Sequence, residues 1–328
     1  MNNINNSWLE KGFIDEQIPE GTDLYSEINK LKREKKTVLM VHYYQTGDIQ
    51  DIADIIGDSL ALAQKAVSID ADIIMLAGVH FMGETVKILN PDKKVLVPDL
   101  NAGCSLADSC NAADFEKFIK QHPDHKVISY VNTSAEVKAL TDVVVTSTNA
   151  LRVVESFPKN EKIIFGPDRN LGSYINAQTG RNMLLWDGAC HVHEKFSLEK
   201  ILDIKNNYPD AELICHPECK KTIVLASDFV GSTAALLSYV GKSNKKRFIV
   251  ATESGILHQM QKNYPEKQFI AAPPIDSTCG CNNCEFMKLN TLQKIYLTLK
   301  YEWPEVNVDA EVARKARKSI DAMLALSK

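Results

Sequence analysis

The sequence predicts an α/β protein made of three α/β three-layer sandwich domains with short parallel sheets, related by a pseudo-threefold axis around a central site. Three observations predict this. A polar pattern recurs three times without gaps, apolar β-rich runs alternate with helix-like segments, and a cysteine follows the last strand candidate of each recurrence.

The recurring segments are "HYYQTGDIQDIADIIGDSLALA" from His42, "YVNTSAEVKALTDVVVTSTNAL" from Tyr130 and "HPECKKTIVLASDFVGSTAALL" from His216. An aspartate stands twelve residues after the first position in each (Asp54, Asp142, Asp228), and a hydroxyl residue stands seventeen after it (Ser59, Ser147, Thr233). First strands are expected at "KTVLMV", "HKVIS" and "AELIC", and short second strands just before the hydroxyl residues. Third strands are expected at "DIIMLAG", "KIIFG" and "RFIVA", and fourth strands at "KVLVPD", "NMLLWD" and "KQFIAAP". Helical stretches such as "SLALAQKAVSI", "TNALRVVESF" and "TAALLSYVG" lie between them, so the strands run parallel. The expected domains are residues 37–110, 111–195 and 196–284. Residues 1–36 form an N-terminal helical extension with a solvated amphipathic helix around "DLYSEINKLKREK", and 285–328 a C-terminal helical segment whose helix, 305–328, packs on the first domain.

Composition excludes several functions. The chain has 328 residues, 45% hydrophobic and 24% charged, with a formal charge of −4, and its Lys and Arg form no basic stripe. Nucleic acid and membrane are therefore not expected partners. It contains no run of about eighteen apolar residues, and its start has neither the basic nor the apolar region of a signal peptide. A cytoplasmic location and a small-molecule partner are expected. No Walker A loop or GxGxxG fingerprint is present, which argues against ATP or a tightly bound dinucleotide.

Eight cysteines in such a chain point to metal or catalytic roles rather than a disulfide framework. Cys104, Cys190 and one of Cys279, Cys281 and Cys284 follow the fourth strands, at the carboxyl ends where α/β sheets place their sites. Three converging thiolates can hold a [4Fe-4S] cluster with one open iron, or zinc; spacing leaves both possible. Ser59, Ser147 and Thr233 stand where strand gives way to helix, suited to binding phosphate or carboxylate. The first strands end in polar residues, His42 and Tyr44, Tyr130 and Asn132, His216 and Glu218, whose chemistry suits proton transfer near neutral pH.

The blocks "VHYYQTGDIQDIADIIGDSLALAQKA", "NAGCSLAD", "YVNTSAEVKAL", "TSTNA", "CHVHEKF", "HPEC", "GSTAAL" and "CNNCEFMKLNTL", spread over residues 37–298, resemble the quinolinate synthetase A family. The resemblance implies a transferase of de novo NAD biosynthesis that condenses iminoaspartate with dihydroxyacetone phosphate to quinolinate, losing phosphate and water. It implies three pseudo-symmetric domains around a [4Fe-4S] cluster held by Cys104, Cys190 and Cys284, with one open iron. Tyr44, His216 and Glu218 are then the proton-moving candidates, and His42, Ser59, Tyr130, Asn132, Ser147, His193, Ser232 and Thr233, with His216 and Glu218, the substrate-binding ones. The family often shows CxxCxxC here, whereas this chain spaces Cys279, Cys281 and Cys284 differently, which leaves Cys279 and Cys281 without an assigned role. Cys110, Cys215 and Cys219 have none either. Transient supply of iminoaspartate by an L-aspartate oxidase is expected. The alternatives are an open-iron hydro-lyase acting on one substrate and a zinc-clamped binding or regulatory protein.

Overall fold

A computed structural model describes residues 6–276 and 282–327. Its twelve strands form three four-stranded sheets, all parallel. The first comprises β1 (Thr37–His42), β2 (Ile55–Gly57), β3 (Ile73–Ala77) and β4 (Lys94–Leu96). The second comprises β5 (Lys126–Tyr130), β6 (Val143–Val145), β7 (Ile163–Gly166) and β8 (Leu184–Leu185), and the third β9 (Glu212–Cys215), β10 (Phe229–Val230), β11 (Arg247–Ala251) and β12 (Gln268–Ala271). Strand order is the same each time: β2-β1-β3-β4, β6-β5-β7-β8 and β10-β9-β11-β12. All twelve fall on the runs read as strands.

Register repeats as well. Val41 pairs with Ala77, Ser129 with Gly166 and Cys215 with Ala251. The first strands are apolar runs rather than alternating patterns because helices cover both faces, and Leu39, Met40 and Val41 are fully buried.

The recurring aspartates explain how such short second strands stay attached. Asp54 accepts the backbone N–H of Leu39, Asp142 that of Val127 and Asp228 that of Leu213, each at 2.8 Å. Each also donates its own N–H back to the same residue's carbonyl. A side chain thus extends the ladder by one pairing where the backbone has turned away. Lys32, Lys126 and Lys205 sit at 2.8, 3.7 and 2.7 Å from the three carboxylates; the last two are partly exposed pairs worth little in themselves, whereas Lys32 is buried.

The chain divides into two compact units. One is Met1–Cys104 with Glu285–Arg314 and holds the first sheet; the other is Ser105–Cys284 with Lys315–Lys328 and holds the second and third. In the first unit, helices Leu24–Glu34 and Leu292–Tyr301 bury Ile28, Leu292, Ile295 and Leu299 with Leu39, Val41 and Met75 of the sheet. Each such side chain contributes about 1.5–3 kcal/mol. The N-terminal helix is therefore a structural layer of this unit and not only a solvated extension. Backbone pairing of Val306 with Val95 keeps residues 305–306 on the first sheet. The end of helix Ala310–Leu326, by contrast, bonds within the second unit: Ser319 Oγ donates to the Lys138 carbonyl at 2.8 Å and Asn149 Nδ2 to Ser327 Oγ at 2.7 Å. Its apolar stripe, Ala316, Ile320 and Met323, is buried, so the tail follows burial rather than the first domain expected for it. Among the described residues no helix is long and apolar enough to cross a membrane.

Candidate active site

In an open parallel sheet, ligands gather at the carboxyl ends of strands where the order switches direction. Here that switch lies between the first and third strand of each sheet. Residues at the ends of β5, β9 and β11, with His193 of the short helix His191–Glu194, build a buried polar cluster in the second unit.

Its centre is Glu218, three residues beyond its sheet's first strand. The Tyr130 hydroxyl donates to Glu218 Oε1 at 2.5 Å, and His193 Nδ1 stands 3.1 Å from Oε2. His193 Nε2 is 3.0 Å from Thr252 Oγ1, so two hydrogen-bonded pairs, Tyr130 with Glu218 and His193 with Thr252, meet where His193 Nδ1 faces the carboxylate. All four are almost completely buried. The His193 ring stacks on His216 with centroids 4.8 Å apart.

The corner at His216 sets that ring's protonation. The Glu218 backbone N–H donates to His216 Nδ1 at 3.3 Å, which assigns the ring proton to Nε2 and directs it to Ser147 Oγ at 3.1 Å. Burial pushes the His216 pKa down to about 3, so the ring is a neutral N–H donor. Burial opposes ionisation of Glu218 too, but its contacts with His193 and the Tyr130 hydroxyl outweigh burial and lower the carboxyl below its ordinary range. A buried carboxylate beside hydrogen-bond donors is a proton acceptor shielded from water. Asn170 Nδ2 donates to the Glu218 carbonyl at 3.0 Å and to Glu194 Oε1 at 2.6 Å, tying this corner to the helix Arg169–Thr179.

The first unit repeats the corner. Tyr44 N–H donates to His42 Nδ1 at 3.1 Å, and the two rings meet edge to face at 4.6 Å. His42 is buried and Tyr44 half-buried. Lys288 Nζ donates to the Tyr44 carbonyl at 2.5 Å and fixes the turn from the C-terminal side.

The hydroxyl residues take three different positions. Ser59 opens helix Ser59–Ala66 behind the capping carboxylate of Asp58, which accepts the Ala61 N–H. Thr233 opens helix Thr233–Lys242, and Ser232 is its cap, accepting the Ala235 N–H at 3.3 Å. Ser147 precedes its helix in a turn, where Asn149 is the N-terminal residue and the hydroxyl faces His216. Asn132 is half-buried just beyond β5.

Among the cysteines, Cys110, Cys215 and Cys219 lie in apolar cores, and burial pushes the Cys110 thiol up to about 12. They fill space. Cys104, Cys190 and Cys284 are only half-buried. Cys279 and Cys281 lie outside the described residues. Cys190 Sγ, a His193 ring nitrogen and a Glu218 oxygen lie within 4.8 Å of one another, a set of donors that can hold a metal. Ser105, the neighbour of Cys104, bonds through Oγ to Nδ1 of His191, the neighbour of Cys190, at 2.5 Å. Partly accessible thiols on loops tied down by hydrogen bonds fit thiolate ligation, whereas the three core thiols do not.

Four residues of this cluster carry no mark in the sequence reading: Asp168, Asn170, Thr252 and Glu253. Asp168 and Glu253 occupy the same place, two residues beyond β7 and β11. The second repeat is one residue longer between its first and third strands, and the first has Val79 there, so an ungapped alignment does not superpose them. Burial, then the charge of Glu218, pushes Asp168 up to about 7.

Residues 26–325 match the family model described as quinolinate synthetase A protein. Among curated proteins, the chain is 55% identical to a quinolinate synthase of Microcystis aeruginosa over 93% of this chain and 95% of that one. It is equally similar, 55% over 93% and 95%, to a quinolinate synthase of Chloroherpeton thalassium. A quinolinate synthase of Thermosynechococcus vestitus is 54% identical over 95% of this chain and 98% of its own length.

Proposed function

The chain belongs to the quinolinate synthetase A protein family and acts as a quinolinate synthase, and from that premise we propose that it condenses iminoaspartate with dihydroxyacetone phosphate, releasing phosphate and water. The observation that carries this is the buried cluster of Tyr130, Glu218, His193 and Thr252 beside Cys190. Ring formation from an imine and a ketose phosphate requires repeated proton removal and return on small carbon acids, in a site kept from water. Glu218, held ionised, accepts a proton; Tyr130 and His216 Nε2–H stabilise oxyanions of the enolising ketone; Tyr44, on its own histidine corner, is the second acid–base group. Ser59, Ser147, Ser232 and Thr233, with their helix starts, hold phosphate or carboxylate, and His42, Asn132 and His193 frame the substrates.

We assign Cys104, Cys190 and Cys284 as ligands of a [4Fe-4S] cluster. The Ser105–His191 bond beside two of them, and the accessible character of all three thiols, support the assignment. With three thiolates bound, the fourth iron supplies a Lewis acid for a substrate nitrogen or oxygen. With its three cysteines only half-buried, such a cluster would be open to oxygen. Cytoplasmic placement and transient supply of the unstable imine by an L-aspartate oxidase complete the proposal; no nucleic acid or membrane is involved.

The test is iron and acid-labile sulfide on protein purified without oxygen, followed by addition of dihydroxyacetone phosphate and freshly generated iminoaspartate. About four irons per chain and formation of quinolinate are expected. Cys104→Ser, Cys190→Ser and Cys284→Ser should each abolish both, while Cys110→Ala keeps them. Zinc in place of iron, without quinolinate, would overturn the cofactor and the reaction together.

A further inference from the structure

Two buried carboxylates stand at equivalent places in the second and third repeats and make the same pair of bonds. Asp168 uses Oδ1 to accept the N–H groups of Asn170 and Leu171, at 2.7 and 2.9 Å, which open the helix Arg169–Thr179. Its Oδ2 accepts the backbone N–H of Cys190 at 2.9 Å. Glu253 uses Oε2 to accept the N–H of Gly255 at 2.7 Å, at the start of helix Ile256–Asn263, and Oε1 to accept the backbone N–H of Cys284 at 3.0 Å. Both are fully buried. In each case one oxygen serves the carboxylate's own helix and the other reaches across to the cysteine that ends the repeat.

Capping alone does not account for this. Serine or asparagine caps a helix with one acceptor and without burying a charge, and among the described residues seven other helices are capped by the side chains of Asp23, Asp58, Asn111, Ser134, Ser197, Ser232 and Thr291, none of which is bonded to a cysteine N–H. A buried carboxylate has a desolvation cost that several N–H donors must offset. At these two positions a carboxylate is buried all the same, and in both the far donor is a cysteine N–H. The first repeat, which lies in the other compact unit, has Val79 there, and the N–H of the next residue, His80, goes to the Ala102 carbonyl at 2.7 Å instead.

We infer that Asp168 and Glu253 are positioning residues that hold the Cys190 and Cys284 loops in their ligating conformation before any metal arrives. The inference rests on the assignment of those two thiols as ligands. An amide offers one acceptor oxygen where the carboxylate offers two, so Asp168→Asn or Glu253→Gln keeps shape and volume but must abandon either the helix start or the cysteine. Acting through a ligand's backbone, the change falls on cluster retention, and loss of such outer contacts weakens metal binding by roughly 10-fold or more.

The test compares wild type, Asp168→Asn, Glu253→Gln and the ladder variant Asp142→Asn, all anaerobically reconstituted. Readouts are iron release to a chromogenic chelator and the electron paramagnetic resonance spectrum of the reduced cluster. The two amide variants should release iron about 10-fold faster than wild type with altered spectra, while Asp142→Asn matches wild type on both. Equal release rates across the four would overturn the inference while leaving the ligand assignment standing. A wild type that binds no iron would remove the assignment and the inference with it. Should either amide variant fail to fold, residue-resolved hydrogen exchange on unmodified, metal-free protein decides: protected amides at Cys190 and Cys284 support prior positioning, and exchange at free-peptide rates overturns it.

Discussion

Glu218 concentrates the chemistry of the second unit because three buried groups act on one carboxylate. Tyr130 contacts one oxygen and His193 the other, while His216 is tied to its backbone. Glu218→Gln keeps the volume and removes the acceptor, and we expect kcat to fall roughly 10²-fold or more with the fold intact, read by quinolinate formation and circular dichroism. Tyr130→Phe should cost less, about 10-fold, since it removes one donor to a group that stays charged. A Glu218→Gln enzyme with near-normal turnover would dismiss the carboxylate as base. At this scale the sequence was legible where polar residues end apolar strands: His216, Glu218 and Tyr130 stood out against the runs before them. Thr252 did not, because a threonine after "RFIVA" is unremarkable until His193 is seen 3.0 Å away. Asp168 and Glu253 were hidden by one inserted residue.

At the scale of elements, the recurring aspartates are ladder residues rather than site residues. Each lies fifteen positions from the backbone N–H it accepts. Truncating one to alanine strands a backbone donor at a strand start, and Asp54→Ala, Asp142→Ala and Asp228→Ala should each cost about 1–3 kcal/mol. Urea midpoints check this; losses indistinguishable from those of exposed surface aspartates would remove the ladder role. Strands were legible at this scale because burial on both sheet faces demands continuous apolar runs, which loops do not tolerate. The hydroxyl residues were legible only in part. Ser59 and Thr233 open helices, but Ser147 sits in a turn, because Asn149 takes the helix start and leaves the serine to His216. The terminal helix was legible as a helix but not in its docking, since an apolar stripe does not say which surface it will meet.

For the whole molecule, pH acts on stability through the buried histidine. His216 has its pKa lowered from 6.5 to about 3, so below pH 6.5 the unfolded chain takes up a proton that the folded chain refuses. The stability contributed by the neutral ring is complete above pH 6.5 and declines as pH falls, by up to about 1.4 kcal/mol per unit. The stability difference between wild type and His216→Asn should therefore move against wild type by about 2 kcal/mol between pH 7.5 and 5. A difference independent of pH would mean that the ring titrates in the fold as it does in the unfolded chain. The aspartate ladders bear on how the chain reaches this fold at all. Each joins residues only fifteen apart, within one repeat and with no help from the others. Loops of that length close in roughly a tenth of a microsecond, long before distant strands can meet. The chain thus carries three equivalent local closures whose loop entropy is small, so none of the three first-to-second strand pairings has to wait for contacts between repeats.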